Sequence, residues 1–404
     1  MNATEATVRI HYLDTLKVAI VYGILVYHSA LPFTLTSWLI SNPQKSIALT
    51  AFVLFCFPWG IPMMFLLSGA DSWFALRRRS APAFLRARFL RLVLPLAAGI
   101  ALLSPLQAYL TSEHATSSAG DLLRSYPAFF RTMELAWTPA WLGRYGYHLW
   151  FLGYLFAISA VLLPLLELLR RPAGRRAVAA TAAFCQRAGA IYVLALPLVV
   201  SQVALRGRFP VYQDWADIAT YSFVFVAGYV LASERRFEQA VRRNVRLALA
   251  VGIASSAGVG GLLLAASQGL HAPASMHLVV QLVYGVLWSL MIWSWLLAVL
   301  CLGMRWLDFG NRVTTYLAES ILPFYVLHHP VVVLVGSLVI GLQLGVWPKF
   351  LMVVVLSLSI TLALYELLVR RWAPARFVFG LKGPRPAPPA APAGAGAATG
   401  EPAR

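Results

Sequence analysis

Long apolar segments separated by short polar loops run through almost the whole chain. Each is long enough, or nearly so, to cross ~30 Å of hydrocarbon as an α-helix. We place ten of them, at about residues 12–34, 47–70, 90–110, 148–169, 188–205, 217–232, 247–267, 278–302, 313–340 and 349–369. The pattern predicts an all-α, polytopic integral membrane protein with about ten transmembrane helices.

The loops between these segments differ in charge, and the difference alternates along the chain. Of the 33 Lys and Arg residues, all but seven lie on one side of the predicted membrane. The seven on the other side are Lys45, Arg124, Arg131, Arg144, Arg206, Arg208 and Lys349. Because basic loops are retained on the cytoplasmic side of a membrane, this bias predicts that both termini are cytoplasmic.

Composition and charge exclude several classes of protein. The 404 residues are 60% hydrophobic and only 12% charged, whereas soluble domains are about half apolar and a quarter charged. A soluble domain, a disordered protein and a disulfide scaffold are therefore excluded. The net charge of +18 does not indicate nucleic acid, because the basic residues lie between apolar segments, where they set topology. The three cysteines are isolated and no metal-ligand spacing is present, so we expect neither a metal nor a bound cofactor.

Two regions differ from the rest of the chain. Residues 381–404 are rich in Pro, Ala and Gly, so we predict a disordered cytoplasmic tail after a single transmembrane domain at residues 1–380. The longest outer segment, residues 111–147, mixes polar and aromatic side chains. This mixture suits the binding of a polar acceptor such as a sugar, and equally suits an aromatic belt at the headgroups. The pattern does not predict an oligomeric state.

The first apolar segment contains three ionisable residues, Asp14, Lys17 and His28. Such groups cost about 2.5–3.5 kcal/mol each inside a membrane, so they face a cavity or other helices. Lys17 and His28 are eleven residues apart, which places them on one helix face about 16 Å apart. Asp14 precedes Lys17 by three residues and can neutralise it.

A second polar group lies in the ninth segment, which contains Glu319, Tyr325 and His328. His328 is about as far into its segment as His28 is into the first. Pro323 and Pro330 should bend this helix and free backbone carbonyls as hydrogen-bond acceptors. Spacing alone leaves two interpretations open: a shared polar chamber, or two unrelated structural histidines.

Further candidate residues lie at the start of the fourth segment and at the end of the second. His148 and Trp150 begin the fourth segment and either line the mouth of the chamber or anchor the helix at the interface, and the sequence favours the anchor. Ser68 and its neighbour Gly69 are typical of close helix packing, and Asp71 could pair with an arginine.

The arginines before the third segment have two interpretations as well. Arg88 and Arg91 could hold the phosphates of a donor molecule. The simpler interpretation is that they set topology. If the chamber is catalytic, a histidine without a neighbouring Ser or Cys nucleophile suits general-base catalysis or direct nucleophilic attack.

Four blocks resemble membrane-bound acyltransferase family 3, which includes O-antigen acetylases and periplasmic-glucan succinyltransferases. They are LDTLKVAIVYGILVYH (13–28), MFLLSGADSWFALRRRSAPAFLRARFLRLVLP (64–95), HLWFLGYL (148–155) and LPFYVLHHPVVVLVG (322–336). The resemblance covers residues 13 to about 369, in the order of the family. The first block is the most specific, with a basic residue, ten positions and then a histidine.

This resemblance implies a bacterial inner-membrane enzyme that transfers an acyl group, acetyl or succinyl, from cytoplasmic acyl-CoA to a hydroxyl of a glycan or lipid-linked sugar. It implies that His28 is the catalytic histidine, that His328 assists, and that Arg88 and Arg91 hold the donor. The basic residue of the first block is usually arginine, whereas Lys17 lacks the planar fork. Lys17, Asp14, Ser68, His148, Trp150, Glu319 and Tyr325 are the remaining candidates for substrate binding.

The alternative function is a transporter or flippase that uses the intramembrane His, Lys and Asp residues as a solute or proton path. Against it, the segments show no internal repeat.

Overall fold

A computed structural model describes residues 11–112, 119–134, 136, 138–270 and 273–381, and these residues form helices and turns without strands. The helices are α1 (His11–Ala30), α2 (Ile47–Leu76), α3 (Ala81–Leu110), α4 (Ala119–Arg131), α5 (Ala140–Val161), α6 (Leu163–Arg170), α7 (Pro172–Cys185), α8 (Ala190–Leu205), α9 (Trp215–Ser233), α10 (Arg236–Arg243), α11 (Val245–Ser267), α12 (His277–Trp306), α13 (Arg312–Ile340), α14 (Val346–Val369) and α15 (Ala373–Val378).

The prediction of an all-α membrane protein is confirmed, and each of the ten predicted segments lies in a helix. Within the described part of the chain, eight helices are long and apolar enough to cross a membrane: α1, α2, α3, α9, α11, α12, α13 and α14. The fourth segment is the pair α5 and α6, which meet at 49°, where Pro164 removes a backbone donor. The fifth, α8, is a shorter apolar helix. A total of ten crossings and the side of the termini stay predictions.

The division into one domain and a tail also stays a prediction. Of the predicted tail, residues 381–404, all but Leu381 lie outside the described residues.

Helices α1 and α13 lie side by side and run in the same direction. Their contacts follow the same order along both helices. The Tyr12 backbone N–H donates to the Asp308 carboxylate just before α13 (3.2 Å). About two turns into α13, the Tyr22 and Ser320 hydroxyls are 2.7 Å apart. The Tyr22 ring stacks on Phe324, with centroids 4.1 Å apart. This register brings the last turn of α1 beside the middle of α13.

We call the end of the bundle where α1 and α13 begin the basic end. Helix α2 runs antiparallel to α1 and ends there, at the run of arginines that starts at Arg77. This is the end that the sequence predicts to be cytoplasmic.

Two glycines allow α2 and α9 to pack with their backbones in contact. A Cβ atom on Gly69 would lie 1.9 Å from the Phe225 carbonyl oxygen, and one on Gly228 would lie 1.9 Å from the Leu66 carbonyl oxygen. Each glycine therefore accommodates the backbone of the other helix. The structural interpretation of small residues at the end of α2 is confirmed at Gly69.

We expect Gly228→Ala to destabilise the protein by about 1–3 kcal/mol, because the added methyl group overlaps backbone atoms that cannot rotate away. Gly260→Ala in α11 is the matched control, since a Cβ there meets nothing within 4 Å. Thermal unfolding in detergent, followed by size-exclusion chromatography of the heated samples, measures both. Equal melting temperatures for the two variants would contradict the packing described here.

Candidate active site

Four histidines from three helices meet inside the bundle. His28 lies at the end of α1, His148 near the middle of α5, and His328 and His329 in α13. We call them the histidine cluster. Ring centroids are 5.2 Å apart for His28 and His328, 4.7 Å for His28 and His329, and 4.5 Å for His148 and His329. The interpretation of His28 and His328 as unrelated structural histidines is therefore wrong.

Hydrogen bonding determines which nitrogen of each central ring carries a proton. His328 Nδ1 lies 2.7 Å from the Tyr325 carbonyl oxygen, and a carbonyl can only accept, so this nitrogen carries the hydrogen. In the neutral ring, His328 Nε2 then has a lone pair. It lies 3.0 Å from His28 Nδ1, which must donate to it. The lone pair of His28 is left on Nε2.

The Nε2 atom of His28 has no hydrogen-bond partner among the described residues. His28 is only partly buried, whereas the other three histidines of the cluster are buried. In this pair, Nε2 of the partly buried His28 carries the lone pair, and the opposite nitrogen is fixed by a second imidazole.

Two backbone carbonyl groups of α13 hold His148, and a proline frees one of them. Pro330 has no N–H, so the Val326 carbonyl, four residues earlier, has no helical partner. His148 Nε2 donates to this carbonyl (3.2 Å) and to that of Tyr325 (3.0 Å). The expectation that prolines in this helix free carbonyl groups is confirmed at Val326. The Tyr325 hydroxyl donates to the His148 carbonyl, so Tyr325 supports the cluster from both its backbone and its side chain.

The interpretation of His148 and Trp150 as interfacial anchors is wrong. Their exposed fractions are 6% and 4%, because the start of the predicted fourth segment lies against α13 and α9 rather than at the edge of the bundle. Trp150 packs in an aromatic group with Tyr154 and Tyr221, at centroid distances of 4.9 and 5.7 Å.

Two members of the site were not selected from the sequence. His329 Nδ1 donates to the Gln107 side-chain oxygen of α3, at 2.5 Å. Gln107 is fully buried. A polar amide inside the apolar segment at 90–110 and a second histidine directly before a proline were the available indications.

Lys17 is neutralised at the basic end of α1. Its ammonium lies 3.3 Å from Asp14 and 2.6 Å from Asp71 of α2. The predicted pair with Asp14 is confirmed, and Asp71, which could pair with an arginine, forms its ion pair with Lys17. Lys17 remains about 16 Å from His28 along the helix.

The structure separates the two arginines that were predicted to act together. Arg88 is turned toward α2, where it donates to the Ser68 carbonyl (3.1 Å) and the Ser72 hydroxyl (2.8 Å). Arg91 is exposed, in the π-helical turn Phe89–Val93 that follows. Ser68 takes part through its backbone carbonyl.

Glu319 lies outside the histidine cluster. It is nine residues before His328 in α13, a distance of about 13.5 Å. It faces an open pocket of about 560 Å³ at the basic end, and its carboxylate is 4.0 Å from Arg376. The pocket is lined by His11, Gly310, Asn311, Arg312, Thr315, Tyr316, Glu319 and Arg370.

Metal ligation is a separate question for a cluster of histidines. Across the described ranges, no group of three or more His, Cys, Asp or Glu side chains is arranged to hold a metal ion. In the cluster, five ring nitrogens instead contact carbonyl oxygens, an amide oxygen or each other, and His148 Nδ1 is buried without a hydrogen-bond partner among the described residues.

Comparison with known proteins gives one match. The family model of the acyltransferase domain of acyltransferase family 3 matches residues 10–366, which include all four histidines of the cluster. No curated protein and no solved structure matches the chain. The match covers most of the 404 residues and agrees with the resemblance found in the sequence blocks. The chain therefore belongs to acyltransferase family 3 and is a membrane acyltransferase.

Proposed function

We propose that this enzyme transfers an acyl group, acetyl or succinyl, from acyl-CoA to a hydroxyl of a glycan or lipid-linked sugar, with His28 as the general base. The observation that carries the proposal is the hydrogen bond from His28 Nδ1 to His328 Nε2. It leaves His28 Nε2 unprotonated, which is the state that a general base requires.

The reaction then has two proton movements. His28 Nε2 takes the proton of the acceptor hydroxyl while that oxygen attacks the thioester carbonyl carbon, and a C–O bond forms. The C–S bond then breaks, and the sulfur leaves with the proton returned by His28. The products are the acyl ester and free CoA thiol, so one proton and one acyl group are exchanged with no net change at the enzyme.

His328 acts through His28 in this scheme. Its own proton is held by the Tyr325 carbonyl, so its free nitrogen faces His28 and fixes the orientation of that ring. A carboxylate holds the histidine in the same way in serine hydrolases.

The donor enters from the basic end, which we take to face the cytoplasm of a bacterial inner membrane with both chain termini. An open pocket with Arg312 and Arg370 offers positive charge for its phosphates there. Lys17 and Arg88 already contact protein groups, which favours structural roles for both. Acyl-CoA is a co-substrate here, and no bound cofactor is required.

We expect His28→Ala to lower the rate of acyl transfer by about 10²–10⁴-fold, because the general base is lost. The measurement is CoA thiol release and product formation by purified protein in nanodiscs with labelled acetyl-CoA. His277→Ala is the matched control, since His277 is exposed at the start of α12.

Full activity of a folded His28→Ala protein would contradict the assignment. Accumulation of label on His28 in the absence of an acceptor would show instead that this nitrogen acts as a nucleophile.

We expect His328→Ala to lower kcat by about 10–100-fold, because His28 loses the acceptor that fixes its tautomer. His328→Gln should recover part of the rate, since its amide oxygen can accept from His28 Nδ1. KM for acetyl-CoA should not change in either variant. Equal rates for the Ala and Gln variants would show that His328 contributes packing alone.

We expect Arg88→Ala to lower stability by about 1–3 kcal/mol, because the Ser72 hydroxyl and the Ser68 carbonyl lose their charged donor. Arg86→Ala, at an exposed position of the same helix, should leave stability unchanged. Thermal unfolding and KM for acetyl-CoA are measured on both. A higher KM in Arg88→Ala at unchanged stability would assign Arg88 to the donor site instead.

A further inference from the structure

The connection between α1 and α2 places a tryptophan beside the histidine cluster. Residues 34–46 are non-helical. The Trp38 indole lies nearly parallel to the His28 imidazole, at 10°, with centroids 6.2 Å apart. It meets His329 at 75°, with centroids 5.6 Å apart. Since α1 ends away from the basic end, Trp38 approaches the cluster from the opposite end.

The rings of His328, His329 and Trp38 all lie next to the His28 ring. The two histidines belong to α13, whereas Trp38 belongs to the loop. It is partly buried. Part of the indole surface is therefore uncovered close to the His28 ring.

A buried lysine holds the loop in place. Lys349, with an exposed fraction of 5%, donates to the Asn42 side-chain oxygen (3.0 Å) and to the Ile340 carbonyl (2.7 Å). Asn42 is fully buried, and its N–H donates to the Pro32 carbonyl (2.9 Å). Ile340 is the last residue of α13, so the negative end of the helix dipole offsets the lysine charge. The lysine thus ties the loop to two helices.

We propose that Trp38 is the platform on which a pyranose ring of the acceptor stacks, and that Lys349 is the positioning residue for its loop. A pyranose has an apolar C–H face that matches the indole face, and hydroxyls at its rim. Stacking beside His28 would place a rim hydroxyl near Nε2, while the indole N–H donates to a second one. The inference rests on the proposed function, because it takes the acceptor to enter from the end opposite the donor.

The test uses the full chain in nanodiscs with acetyl-CoA and a panel of methyl pyranosides, with sorbitol as an acyclic polyol. We expect at least one pyranoside to accelerate thiol release. Trp38→Ala should raise KM for that pyranoside about tenfold, with KM for acetyl-CoA unchanged. Trp38→Phe should retain most of the affinity, because it keeps an aromatic face.

Trp347→Ala is the matched control, because Trp347 is exposed at the same end of the bundle. The inference is overturned if Trp38→Ala leaves the pyranoside KM unchanged, if sorbitol responds in the same way, or if no pyranoside accelerates the reaction. Saturation-transfer NMR of the same pyranosides measures binding without chemistry. If thiol release does not depend on His28 while pyranoside binding does depend on Trp38, the proposed function is overturned and the stacking platform is supported.

Lys349 has its own pair of variants. Lys349→Met should raise the pyranoside KM with little change in acceptor-independent thiol release, and Lys349→Arg should restore it, because arginine keeps the charge and the donors. Comparing a free pyranoside with the same sugar on a polyprenyl phosphate then distinguishes a glycan acceptor from a lipid-linked one. If Lys349→Met reduces all activities equally, the lysine only stabilises the fold.

Discussion

A hydrogen bond between two imidazoles, His28 Nδ1 to His328 Nε2, sets the requirements that the surrounding structure meets. It needs α1 and α13 to lie parallel and in register, which the contacts between Tyr22 and the start of α13 provide. It also requires that the proton of the His328 ring is on Nδ1, so that Nε2 can accept. The Tyr325 carbonyl supplies that condition. Helix packing therefore determines the tautomer of His28.

Backbone carbonyl groups of α13 accept the hydrogen bonds that orient two histidines, a role that side chains have in many enzymes. A helix interior normally offers no free acceptors, since each carbonyl is bonded to an N–H one turn later. Pro330 breaks that pattern and leaves the Val326 carbonyl for His148. Tyr325 accepts from both His148 and His328. The helix therefore orients two of the histidines without an acidic residue, which would be costly to bury in a membrane.

Much of the fold could be predicted from the sequence, because hydropathy over about 20 residues reports directly on the need to satisfy backbone groups in lipid. The bend between α5 and α6 depends on local geometry at Pro164 and was not predicted. Polar residues at helical spacing indicated His28 and the pair of Asp14 with Lys17, since both follow from a single helix. Three features could not be predicted because they depend on contacts between separate parts of the chain. They are the ion pair of Asp71 with Lys17, the buried position of His148 and the contact of the loop residue Trp38 with the cluster.

The chain of imidazoles also bears on how the membrane stays sealed to protons. Titratable side chains linked across a bilayer can conduct protons and dissipate the gradient that a cell maintains. From His28 the chain passes to His328 and ends at the Tyr325 carbonyl. A carbonyl accepts a hydrogen bond but has no proton to pass on. Along this path the hydrogen-bonded chain ends inside the protein, which is compatible with an energised membrane.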